Sequence, residues 1–387
     1  MQTSRLRVAM VSLDFHREGG SEGRTGHLVD RLVHDGHEVH LVGGRIGGRW
    51  DPRIIQRPVW TPEHPHWLEV ALFSRRAEAM VRAGGYDIVH NQIRPFVPGA
   101  VTVGGGSHRY YLNQVLARES GHMRAAVRRA MPLHRVLLAL ERRGFRPERC
   151  PYVIANSELN RQSILRYYPM APERVVVAYN GVDSTRFSPA LRALHREATR
   201  RILGLGPQDV GVLLVGQGFA RKGLGVLLQA LALVREPKWR LIVVGRGKAG
   251  AWSARAARLG LAGRVEFVGH VAAPEAYYAA ADIFALPTFF DPFANATLEA
   301  MAVGLPIITS AQNGVAEILH PGVDGLVVDR PGDVHGLAAA LTTLADAGTR
   351  AALGEHARET ALQFTWDGPL ERTLGVYREM VQAVQRQ

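Results

Sequence analysis

Twice along the chain an apolar run leads into a glycine-rich turn and then an amphipathic helix, and this doubled pattern leaves few folds open. The first series opens with a strand over Leu6 to Leu13, turns at Gly19, Gly20 and Gly23, and enters a helix with Leu28, Val29, Leu32 and Val33 at helical spacing. Further strands are expected at Val39 to Val42, Tyr86 to Val89, Ala100 to Val103, Tyr152 to Ala155 and Val175 to Ala178. The second series begins at Val210 to Val215, turns through Gly216 to Gly223 and runs as a helix to Val234. Its later strands are expected at Trp239 to Val244, Val265 to Val268, Ile283 to Leu286, Leu305 to Ile308 and Gly325 to Val328. Such near-continuous apolar runs suit parallel strands covered on both faces. Turn chemistry from Asn180 to Pro189 marks a linker. The expectation is an α/β chain of two facing, doubly wound domains with a cleft between them, 1–187 and 188–368, and a helix at 369–387 returning to the first.

At 387 residues with 47% apolar and 21% charged content, the chain can bury two cores and lacks the polar bias of disorder. One cysteine, Cys150, rules out an intrachain disulfide and multi-cysteine metal centres. A polar start after Met1 differs from a signal peptide, and no stretch approaches 18 uncharged apolar residues, so a cytoplasmic location is expected. The formal charge of +12 points to a polyanionic partner or a solvated basic surface. Only Lys222, Lys238 and Lys248 are lysines, so 44 of the 47 basic residues are arginines. No helix-turn-helix, zinc finger or aromatic platform is present in the pattern, and nucleic acid is not an expected partner.

Three constellations could carry chemistry. Gly19 and Gly20, between the first strand and its helix, allow a ligand to approach the backbone at a helix start, although tight turns have the same composition. Gly218, Arg221 and Lys222 lie in the corresponding turn of the second series, where two cations ahead of a helix oppose its dipole and suit a pyrophosphate, the alternative being a solvated pair at a helix start. The richest is the stretch from Pro287 to Pro306, with Asp291 in a loop and Glu299 eight positions later in the following helix. Between them lie the backbone amides of Phe293, Ala294, Asn295, Ala296 and Thr297. Asp291 could equally be a helix-flanking charge, and Glu299 a surface residue.

In order along the chain stand Gly19-Gly20, Gly36-His37-Glu38-Val39, Tyr86-Asp87-Ile88-Val89-His90, Asn180-Gly181-Val182-Asp183 with Arg186-Phe187, Arg221-Lys222, Phe267-Val268-Gly269-His270, Asp291 to Glu299, and Asn313-Gly314 with Glu317. With these motifs the chain resembles the family 4 retaining glycosyltransferases of GT-B fold over nearly its whole length, and within them the lipopolysaccharide core glucosyltransferases. The resemblance implies two Rossmann-like domains, the first for the acceptor and the second for a nucleoside-diphosphate sugar such as UDP-glucose. It implies that Arg221 and Lys222 hold the donor pyrophosphate, that Glu299 binds the ribose, and that Gly20 lies beside the donor phosphate. Asp291 stands where the family has a glutamate near the donor sugar. Gly104-Gly105-Gly106-Ser107-His108 follows a strand where many members place an active-site histidine, which makes His108 a candidate alongside its reading as a structural histidine. His16, Glu18 and Glu22 are candidates for meeting the acceptor.

The implied reaction is retaining and metal-independent: no Asp-x-Asp is present, and two cations face the diphosphate. The expected product belongs to cell-envelope polysaccharide or lipopolysaccharide synthesis, with a glycan or lipid-linked acceptor. Residues 109–149 interleave arginines with apolar positions, which suits either an anionic membrane surface or an ordinary exposed helix face. Two other readings stay open: a GT-B sugar-nucleotide epimerase, and a non-catalytic nucleotide- or glycan-binding protein. A phosphorylase is disfavoured by the scarcity of lysines.

Overall fold

The computed structural model describes residues 5–16, 20–116, 122–234 and 236–386. The chain forms two compact units, Met1–Asn180 with Trp366–Gln387, and Gly181–Thr365. The first unit contains β1 (Arg7–Phe15), β2 (Glu38–Ile46), β3 (Ile55–Pro58), β4 (Ile88–Gln92), β5 (Ala100–Val103), β6 (Val153–Ala155) and β7 (Val175–Val177). They make one parallel sheet in the order β3-β2-β1-β4-β5-β6-β7. Successive side chains of a strand point to opposite faces, and β1 shows both. Val8 and Met10 pack with Leu28 and Leu32 of the helix Gly20–His34 and with Leu374 and Tyr377 near the chain end. Ala9 and Val11 pack on the other face with Val70, Phe73 and Ala77 of the helix His66–Ala83.

The second unit contains β8 (Val210–Val215), β9 (Trp239–Val244), β10 (Val265–Gly269), β11 (Ile283–Leu286), β12 (Ile307–Ser310) and β13 (Leu326–Val328), in the order β10-β9-β8-β11-β12-β13. All its pairings are parallel. Val212, Leu213 and Leu214 are fully buried, as parallel strands covered on both faces require, and the helix Leu224–Val234 that follows β8 buries Leu227, Leu228 and Leu231. In each sheet the strand order reverses once, between β1 and β4 and between β8 and β11, and doubly wound sheets take ligands at the carboxyl ends of such neighbours.

Several expected strand bounds shift by a few residues, and three of the shifted boundaries have a clear physical reason. The first division falls after Asn180 rather than 187, since the Val182 amide donates to the Phe364 carbonyl at 2.9 Å and fastens this turn to the second unit. The final helix is Asp367–Gln385, so the chain rejoins the first unit slightly ahead of residue 369. β12 starts at Ile307 because the Leu305 amide is spent capping the preceding helix, on the Ala300 carbonyl at 3.0 Å, behind a left-handed Gly304.

Candidate active site

The loop after β8 is shaped by close approaches. A Cβ on Gly216 would lie 2.7 Å from Cε of Lys222, so glycine there lets the lysine side chain run back over the backbone. A Cβ on Gly223 would stand 2.0 Å from the Pro287 carbonyl oxygen, so the loops after β8 and β11 meet only because that position has no side chain. The contact is fastened by the Arg221 carbonyl, which accepts from the Phe289 amide at 2.8 Å and from the Thr288 hydroxyl at 2.9 Å. Gly218 has a φ of 73° and its carbonyl accepts from the Lys222 amide at 3.1 Å.

The joined loops bring three charges together. Lys222 Nζ donates to Asp291 Oδ2 at 2.5 Å, and Arg221 Nη1 donates to the same oxygen at 3.2 Å and to the Phe290 carbonyl at 2.8 Å. Lys222 and Asp291 are buried, while the Arg221 side chain keeps 30% exposure. Burial pushes the Asp291 carboxyl up, but Lys222 and then Arg221 outweigh it and hold its pKa below the usual value. Burial likewise lowers Lys222, with Asp291 opposing. The carboxylate therefore answers the helix-dipole conflict posed by two cations ahead of the helix Leu224–Val234. Asp291 is itself pinned at both backbone ends, its amide to the Gln312 carbonyl at 2.8 Å and its carbonyl to the Gly314 amide at 2.9 Å.

The helix Asn295–Val303 starts where the sequence places it and carries Glu299. The Tyr278 hydroxyl donates to Glu299 Oε2 at 2.7 Å. Burial raises the Glu299 pKa, opposed by that hydrogen bond and by the Arg186 charge. Two of the expected amides have internal partners: Ala294 donates to Asn313 Oδ1 at 3.2 Å, and Thr297 donates to the Ala294 carbonyl at 2.8 Å. This corrects the reading of Phe293 to Thr297 as five donors for a ligand; Ala294 and Thr297 shape the turn. Asn313, fully buried, holds it further through Nδ2 on Thr297 Oγ1 at 3.1 Å and Thr309 Oγ1 at 3.0 Å. Tyr278 was not singled out from the sequence, because nothing in the short helix Glu275–Ala280 distinguishes it from its neighbour Tyr277.

In the first unit, Gly20 opens the helix Gly20–His34, whereas Gly19, Glu18 and the Glu22 side chain lie outside what is described. His16, at the end of β1, is exposed. His108 follows β5 and is buried, with Nε2 2.9 Å from Nδ1 of His134. Burial, Arg94 and His134 push its pKa down to about 3, so it is neutral at physiological pH. Its amide donates to Glu141 Oε1 at 2.6 Å, and Tyr168 donates to the other Glu141 oxygen at 2.6 Å. Among the described residues no group of three His, Cys, Asp or Glu side chains is placed to hold a metal, and no helix is long and apolar enough to cross a membrane.

Residues 18–186 match the model of Glycosyltransferase Family 4, and residues 209–347 match that of Glycosyl transferases group 1. A D-inositol 3-phosphate glycosyltransferase of Salinispora arenicola is 31% identical over 339 residues, covering 80% of this chain and 72% of that protein. Among solved structures, WaaG, a glycosyltransferase involved in lipopolysaccharide biosynthesis, aligns with a TM-score of 0.81 at 23% identity over 96% of this chain and 99% of its own. Anabaena Alr3699/HepE in complex with UDP-glucose aligns at 0.71 and 19% identity over 99% and 100%. With a family model on each half and a relative of this identity across most of both chains, this protein is a glycosyltransferase of family 4, built as two Rossmann-like domains in the GT-B fold.

Proposed function

We propose that the second unit binds a nucleoside-diphosphate sugar, UDP-glucose in the first instance, and that the enzyme moves its hexose with retention and without a metal to a glycan or lipid-linked acceptor of the cell envelope. The observation that carries this reading is the Arg221–Lys222–Asp291 cluster at the strand-order reversal, fastened between the loops after β8 and β11. Arg221 and Lys222 neutralise the diphosphate as it departs, and preorganised cations cost no reorganisation at that moment. Glu299, steadied by Tyr278, accepts hydrogen bonds from the ribose, while Asp291 aligns the cations and lies beside the sugar. Gly20 adjoins the donor phosphate, and His108 supplies a neutral polar group in the first unit, which binds the acceptor. In the transfer, the bond from the anomeric carbon to the diphosphate breaks while the acceptor oxygen bonds to that carbon from the same face. The acceptor proton passes to the leaving diphosphate, and the protein supplies position and charge.

The Salinispora relative's name supports a second acceptor class, a phosphorylated polyol such as inositol phosphate. The deciding experiment is a thermal-shift and turnover screen against UDP-, GDP-, ADP- and TDP-sugars with a chelator present, with and without candidate acceptors. The expected result is a shift with UDP-sugars and slow release of UDP, both lost in Arg221→Ala and Lys222→Ala. Binding without release would favour a non-catalytic protein, and isomerised sugar nucleotide an epimerase. Restoration of turnover only by added divalent ions would overturn metal independence.

A further inference from the structure

The carboxyl edge of the first sheet holds two buried hydrogen-bond donors left over after the fold is complete. Arg24, in the second turn of the helix Gly20–His34, is 5% exposed. Its Nη1 donates to the Ala178 carbonyl at 3.3 Å and to Asn180 Oδ1 at 3.1 Å, while Nη2 has no hydrogen-bond partner among the described residues. None of the described carboxylates pairs with it, and burial alone acts on its pKa, pushing it down to about 10. Gln92, the last residue of β4, is 4% exposed. Its Oε1 accepts from Thr25 Oγ1 at 3.1 Å, and its Nε2 is likewise without a partner.

A buried cation with no counter-charge and a buried amide with a spare N–H are both costly unless something fills them. Their location answers what does. Arg24 is on the helix that follows β1 and Gln92 ends β4, the two strands across which the order of the first sheet reverses. The link between Thr25 and Gln92 draws the two elements together. A guanidinium fork matches phosphate oxygens, and an amide N–H adds a further donor. The early turns of a helix also favour negative charge.

We propose that Arg24 and Gln92 form a phosphate-binding site in the first unit, one that takes a phosphate group carried by a substrate. The identity of that substrate rests on the transferase reading; the site itself does not. Two sources share this chemistry, a phosphate on the acceptor and the diphosphate of the donor.

The test is a thermal-shift titration of the full chain with inorganic phosphate, against chloride at matched ionic strength, for the wild type, Arg24→Met and Gln92→Leu. The wild type is expected to show a saturable rise in melting temperature. That rise should vanish in Arg24→Met and need several-fold more phosphate in Gln92→Leu, with unchanged far-ultraviolet circular dichroism. If Arg24→Met does not fold, Gln92→Leu decides. A wild type without a saturable response, or an equal response in the variants, would overturn the site and leave the two donors to buried water. Repeating the titration in saturating UDP separates the sources: survival of the Arg24-dependent response assigns the site to an acceptor phosphate, and its disappearance to the donor. Failure of UDP itself to shift the protein would count against the donor reading while leaving the phosphate titration decisive for Arg24.

Discussion

Asp291 shows how unevenly a single side chain can matter. Its carboxylate neutralises the buried Lys222 as well as Arg221, and removing one member of a buried pair leaves the other charge uncompensated, at about 3 to 5 kcal/mol. Asp291→Asn keeps the shape and loses the charge, so urea denaturation should show a loss of about that size. UDP should restore part of it, because the diphosphate supplies the missing negative charge; equal losses with and without UDP would separate Lys222 from the donor. Arg221, Lys222 and Asp291 were legible in the sequence because adjacent cations at a helix start conflict with its dipole and an acid follows in the matching loop. Arg24 was not read, although a mark existed: it stands four residues before Leu28, in line with the apolar stripe of Leu28 and Leu32. An arginine there looks like a solvated edge of the stripe until the chain near Ala178 and Asn180 is laid over it.

At the scale of elements, the final helix is locked to the first sheet by His90. Nδ1 of this buried ring lies 2.6 Å from the Tyr377 hydroxyl and Nε2 lies 2.8 Å from Thr102 Oγ1. Burial, then Arg24, pushes its pKa from 6.5 to about 3. The unfolded chain therefore binds a proton near pH 6.5 that the folded one refuses, and the contribution of His90 falls as pH drops from 6.5 towards 3, by about 1.4 kcal/mol per unit. Urea denaturation at several pH values should show His90→Gln less acid-sensitive than the wild type by that slope; parallel curves would exclude the assignment. Buried parallel strands were the most legible elements, β5, β8, β9 and β11 to the residue, because their apolar runs have sharp ends. β3 was missed: all four of its residues are exposed and it closes on Pro58, so this edge strand carries neither an apolar run nor alternation.

For the whole molecule, the positive charge has a candidate destination. Met123, Val127 and Met131 recur every fourth residue along and just beyond the helix His122–Ala130, and are 82%, 64% and 50% exposed, beside Arg128 and Arg129. Apolar side chains flanked by arginines suit an anionic bilayer surface. Co-sedimentation should be stronger with phosphatidylglycerol vesicles than with phosphatidylcholine, weaken with salt, and disappear in a Met123→Asp, Val127→Asp double variant; equal binding to both lipids would assign these residues to another role.

Because the second unit is inserted between Asn180 and Trp366, the first unit receives its last wall from the end of the chain. At roughly 5 to 20 residues per second of synthesis, some 10 to 40 seconds separate those two points on the ribosome. Throughout that interval this face of the first sheet has Leu28 and Leu32 against it but lacks Leu374 and Tyr377, and the second unit can mature before the half made ahead of it is closed.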